Sequence, residues 1–144
     1  MKQFLFLYLF LSNIAFSSNQ ILTYGPTGVE LTGTLELQTF PGPPNFQSIK
    51  EGDEIERHFY IRLHHPINVL PKGKHPGVEN VQEEKNVNVL ELAINGEDEI
   101  LWNQFRKLGK GTHVKIKGTL FHRFTGHHHS RVLLEVKSIE SINF

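Results

Sequence analysis

The sequence predicts a mainly β fold, a small five-stranded barrel with one short helix between its third and fourth strands. Three observations carry that expectation. Five segments alternate apolar and polar residues with the period of two that a half-buried strand requires. One segment, after the third of them, has instead the apolar spacing and end signals of a helix. Two of the strands also share a glycine-centred pattern, Val29-Glu-Leu-Thr-Gly-Thr-Leu35 and Val114-Lys-Ile-Lys-Gly-Thr-Leu120. A residue without a side chain inside a strand lets a barrel bend sharply or another backbone approach.

The chain opens on an export signal. Lys2 supplies a positive start, Phe4 to Leu11 is an unbroken apolar run, and Ala15-Phe16-Ser17 places small residues where signal peptidase cuts. A membrane span needs about 20 apolar residues, and Ser12 and Asn13 interrupt this run. Residues 1–17 are therefore expected to be removed, leaving one domain over residues 18–144 with no stable membrane anchor. The chain has 15 basic residues, 15 acidic residues and no cysteine. Loss of Lys2 brings the balance to −1, which gives no bulk attraction to nucleic acid. The missing cysteine excludes disulfide staples and a bacterial lipid anchor, and a domain of this length can bury a self-sufficient core without either.

In the first strand, Val29, Leu31, Gly33, Leu35 and Leu37 alternate with Glu30, Thr32, Thr34, Glu36 and Gln38. The segment Phe40-Pro-Gly-Pro-Pro-Asn45 is expected to end it, because prolines withdraw ladder donors. A long loop then runs through the acids Glu51 to Glu56. Phe59, Ile61 and Leu63 mark the second strand, which Pro66 ends or bends. Pro71 to Lys85 reads as a loop. Val87, Val89, Leu92 and Ile94 mark a third strand, whose alternation breaks at Val89-Leu90 and calls for a bulge.

Glu97-Asp98-Glu99 opens the helix, with Leu101, Phe105 and Leu108 as its buried stripe and Trp102 alongside. Acids in the first turn, Arg106 and Lys107 in the last, and Gly109 beyond it suit the helix dipole and a glycine cap. Val114, Ile116, Gly118 and Leu120 form the fourth strand, Thr125 to Ser130 a turn, and Val132, Leu134 and Val136 the fifth. Strand, strand, strand, helix, strand, strand is the order of an OB-like barrel. The alternative is another small antiparallel sheet with one helix.

Several segments also resemble a known family. Gly33-Thr-Leu35, Phe40-Pro-Gly-Pro-Pro-Asn-Phe46, Ser48-Ile49 with Gly52-Asp53, Gly118-Thr-Leu-Phe121, Thr125-Gly-His-His-His-Ser130 and Val132-Leu-Leu134 together resemble domain of unknown function 4431, a family of exported bacterial proteins. The likeness spans about residues 28–140. It implies membership and an extracytoplasmic setting, periplasmic or secreted, and it implies no activity. Its pattern includes a cysteine near Pro66 to Val69 that this chain lacks, which removes support for a redox role.

Three surfaces are candidates for function. His127, His128 and His129, with His122 on the adjoining strand, are imidazoles able to ligate zinc or copper. Three consecutive histidines cannot all face one ion, however, and the alternatives are a polar hairpin turn or a turn that contacts a partner. Lys115, Lys117 and Arg123 could form a basic patch for an anionic envelope component, or be paired with the chain's own acidic third, Glu79 to Glu99. Phe40, Pro43, Pro44 and Phe46 either present an aromatic binding surface beside the barrel mouth or plug the barrel end.

No nucleophile elbow, phosphate loop or metalloprotease motif is present. Glu51, Asp53, Glu54 and Glu56 read as solvated loop acids rather than a catalytic pair. The expectation is a non-catalytic binding domain without a cofactor, whose partner is a protein or an anionic envelope component. The alternatives are zinc or copper binding through the histidine turn, and inhibition of, or immunity to, a hydrolase or toxin.

Overall fold

The computed structural model describes residues 19–71 and 82–143. The expected signal peptide lies outside these residues, as does most of the expected loop from Pro71 to Lys85. Six strands and one helix make up the fold: β1 Gln20–Thr23, β2 Val29–Pro41, β3 Ile55–Leu70, β4 Glu84–Ala93, α1 Glu99–Leu108, β5 His113–His122 and β6 Val132–Ser141. The sheet order is β1-β3-β2-β5-β6-β4, and β4 pairs back onto β3. That last pairing closes β2 to β6 into a five-stranded barrel, OB-like as expected, with α1 between its third and fourth strands. All neighbours within the ring are antiparallel except β4 and β6, which run parallel.

Closure depends on two glycines. β2 pairs with β5 over Val29 to Thr34 and with β3 over Gly33 to Pro41, so Gly33 stands in both ladders. A side chain there would run into the backbone carbonyl of Arg62. Gly118 of β5 lies against the carbonyl of Glu135 in the same way, where the β5–β6 register shifts. Such crowding is what a sharply bent sheet demands of its corners.

The inward residues of every strand meet in one core, with Leu35, Ile61, Leu90, Ile116 and Leu134 fully buried. The helix closes one end of the barrel. Its Leu101 and Phe105 are buried, and Phe59 of β3 lies against Phe105 and Trp102. Asp98 caps the first turn by accepting from the Leu101 N–H at 2.9 Å, and Gly109 follows the last residue with φ +74°. Both ends are as the sequence predicts.

Three expectations about the strands change. β2 continues through Phe40 and Pro41, because the partner strand there is β3 alone and an edge tolerates a missing donor. β3 continues past Pro66 to Leu70, so of the two effects expected there the proline does not end the strand. The irregularity expected in β4 at Val89-Leu90 lies elsewhere in the β3–β4 ladder: the extra residues fall on β3 between Arg62 and Ile67, and on β4 between Glu84 and Val87. β1 was not expected at all. It is a four-residue strand parallel to the far half of β3, outside the ring, and it leads into the buried Tyr24. Among the described residues no helix is long and apolar enough to cross a membrane.

Candidate functional site

Residues at odd and even positions of a strand face opposite sides of the sheet, so one register row can be followed around the outside of the barrel. Glu36 pairs with Tyr60, Tyr60 with Glu91, Glu91 with Leu133, and Leu133 with Phe121. An outer row should be wet. Here Tyr60, Glu91 and Leu133 are buried, and neither Tyr60 nor Leu133 belongs to the core cluster. The β5–β6 connection roofs them, because its rings pack downward: His128 and Phe124 lie against Phe121, and His129 lies against Phe40 and His58.

Glu91, only 3% exposed, holds that roof in place. Its Oε2 accepts from the backbone N–H of His129 at 2.7 Å and of Ser130 at 3.2 Å. Its Oε1 accepts from His58 Nδ1 at 2.9 Å. Its own backbone N–H donates to Ser130 Oγ, and the Ser130 hydroxyl donates in turn to the Val132 carbonyl at 2.6 Å. Burial pushes the Glu91 carboxyl up, but the bonds from His58, His129 and Ser130 outweigh it and hold the group below its usual range. The hydrogen bond to Glu91 raises His58 against the opposing effect of burial, with Glu56 adding to the rise. Burial lowers His129, and the neighbouring His58 lowers it further. A histidine that favours its charged form therefore stands beside one that favours its neutral form.

Across from this turn lies the proline loop, also tied to a buried carboxylate. Asp53 accepts from the backbone N–H groups of Gln47 and Ser48, both at 2.8 Å, and from the backbone and side-chain N–H of Asn45 at 3.0 and 3.1 Å. Those bonds, led by Ser48 and Gln47, hold its carboxyl below the usual range despite burial. The Gly42 N–H donates to the Glu54 carbonyl and the Glu54 N–H to the Pro43 carbonyl, which locks the loop to the start of β3. Phe46 adopts a left-handed φ of +57°, uncommon for an aromatic residue, and stays 45% exposed.

Between the two loops is a cleft of about 370 Å³ lined by Phe40, Pro41, Phe46, Glu56, Gly126, His127 and His129. The Phe40 ring is stacked on His129 with centroids 3.7 Å apart, and Phe46 meets His127 edge-on at 5.4 Å. Neither phenylalanine plugs the barrel, since Phe40 faces outward from β2 and α1 closes the end. Pro43 and Pro44 shape the loop without lining the cleft.

The remaining candidates fall elsewhere. His122 does not join the histidine turn's cluster: it faces Glu84 at 3.1 Å and packs edge-on against Tyr24. Among the described residues, the group whose ligand atoms lie close enough together to hold one ion is Glu56, His58 and His129, which shares His129 with the set the sequence suggested. Lys115 lies 3.3 Å from Glu140 and 3.8 Å from Glu30, and Lys117 lies 3.5 Å from Glu30. These lysines are paired as one alternative held, but by acids on adjacent strands rather than by the stretch Glu79 to Glu99. Arg123 sits at the neck of the turn, where its N–H donates to the Arg131 carbonyl.

Residues 89–140 match the family model described as Domain of unknown function (DUF4431). Over that stretch the chain is similar to this family. The match is narrower than the expected span of 28–140, and its limits divide the site. The matched segment supplies Glu91 and the histidine turn, whereas Phe40, Phe46, Glu56 and His58 come from the strands and loop before it. No curated protein matches the chain.

Sequence reasoning passed over Glu91 and His58. One signal was present: an acid between Leu90 and Leu92, in the very run whose alternation failed. Nothing local marked His58, which sits in a regular alternating strand.

Proposed function

We propose that the chain is a non-catalytic binding domain that works outside the cytoplasm, periplasmic or secreted, and that it grips a protein partner in the cleft between the proline loop and the histidine turn. The observation that carries this reading is the anchoring of both cleft walls on buried carboxylates, Asp53 and Glu91. A wall held before the partner arrives loses little conformational freedom on binding. Aromatic rings dominate the lining, and Phe46 and Phe124 stand exposed on the two loops, as anchors at the centre of protein interfaces do. Lys115 and Lys117 already lie beside carboxylates, which argues against an anionic partner on that face. The Ser130 hydroxyl donates to a backbone carbonyl rather than to a histidine, which supports a role without nucleophilic chemistry. The extracytoplasmic setting rests on the pattern from Lys2 to Ser17.

A photo-crosslinking side chain placed at position 46, and separately at position 124, in the full chain expressed in its own cells tests the reading. Both positions should capture one and the same protein, with position 117 capturing none. Equal capture at 117, or none at 46 and 124, would overturn it. A hydrolase as the captured protein would identify the domain as an inhibitor or immunity protein.

A further inference from the structure

We propose that Glu56, His58 and His129 bind one divalent transition-metal ion of the zinc class at the edge of the cleft. The ligand atoms of the three residues all lie within 4.8 Å of one another, and His58 Nε2 is 3.4 Å from Glu56 Oε2. Zinc holds nitrogen and oxygen ligands at about 2.0–2.2 Å, so tetrahedral neighbours stand roughly 3.3–3.5 Å apart. The Glu56–His58 pair already has that separation. His129, carried on a turn rather than on a strand, closes the remaining distance.

The support around these ligands follows the same logic. A metal-ligating histidine commonly donates its other ring N–H to a carboxylate, which fixes the tautomer and aims the free nitrogen at the ion. His58 donates Nδ1–H to Glu91 and turns Nε2 toward Glu56. The same carboxylate accepts the backbone N–H of His129, so one buried group positions two of the three ligands, and Phe40 stacks on the His129 ring. Two imidazoles and one carboxylate suit zinc, copper or nickel better than calcium or magnesium. Three protein ligands leave a fourth position open, on the side where the cleft admits solvent or a partner's side chain. This site stands apart from the partner reading, since a metal could bind with no partner present.

Calorimetric titration of the tag-free protein with zinc, and visible absorption on titration with cobalt(II), test the proposal. One ion per chain is expected, with a d–d band of low-coordinate cobalt. His58→Ala and His129→Ala should abolish both signals, and Glu91→Gln should weaken binding by about 10–100-fold. His122→Ala, at a histidine that faces Glu84 instead, should leave binding unchanged. Near-ultraviolet circular dichroism of Trp102 reports whether each variant is folded. If His58→Ala is not, Glu56→Gln decides, because wild-type affinity in that variant overturns the site. Absence of stoichiometric binding overturns it too, as does binding lost with His127 and His128 but kept without His58. Crosslinking from position 46 in chelator-treated cells separates failure here from failure of the partner reading.

Discussion

On the outer face formed by β2, β5 and β6, Lys115 and Lys117 stand opposite Glu140 and Glu30 in the register and pair with them at the surface. On the outer face formed by β3 and β4, His58 comes from a regularly alternating strand and Glu91 from one whose alternation breaks, and a loop lies over them and takes Glu91 out of water. Cross-strand pairing satisfies the first set at once, with no further structure needed. The second set has no partner of opposite charge in its own row, since Glu91 is flanked by Tyr60 and Leu133. It is satisfied only by a turn that folds back with its N–H groups aimed inward. Two outer faces of one barrel thus become an ordinary solvated surface in one place and an organised site in the other.

Breaking Glu91 should have the largest effect. Glu91→Ala removes the acceptor for His58, His129 and Ser130 together, and loss of one partner from a buried charged network costs about 3–5 kcal/mol. Urea unfolding should show a loss of that order. A change below about 1 kcal/mol would place the turn's anchor elsewhere and erase the contrast between the faces.

Asp53 gives an effect of intermediate size that depends on pH. Its folded pKa lies below the ordinary 3.8, so the stability it contributes is fully present above that value and is lost as pH falls through the lowered one. Asp53→Asn should therefore be less stable than the parent at neutral pH, with the gap narrowing below about pH 4. Thermal melts across pH 2.5 to 7 on the order of half-unit steps would read this, and a gap that stays constant would show that the carboxylate does not hold the proline loop through its charge.

The smallest effect belongs to the lysine face. Exposed ion pairs contribute little and are screened by salt, so Lys115→Ala with Lys117→Ala should leave the thermal midpoint nearly unmoved, and added salt should not change the difference. A marked loss would mean that this face, too, is a structural network.

What could be read from the residues follows the range of the interaction concerned. Alternation, the helix stripe and its caps are set within a few neighbours, and the strands, the helix and the barrel order were legible for that reason. So were Gly33 and Gly118, because a glycine inside an apolar strand has a steric meaning wherever the chain goes. β1 was not legible: four residues at an edge bury too little to leave a pattern. The proline loop and the histidine turn were both visible as unusual segments, but that they face one another was not.

The sequence by itself determined a mainly β chain, its helix and the two corners where backbones must touch. Only the tertiary structure decided which acids are buried and which histidines meet. Glu91 reaches His58 across 33 residues and His129 across 38, and those distances close only because β4 returns to pair with both β3 and β6. Burial of a carboxylate is a property of what covers it, and here the cover is the β5–β6 connection, distant in sequence and brought beside Glu91 by the β4–β6 pairing.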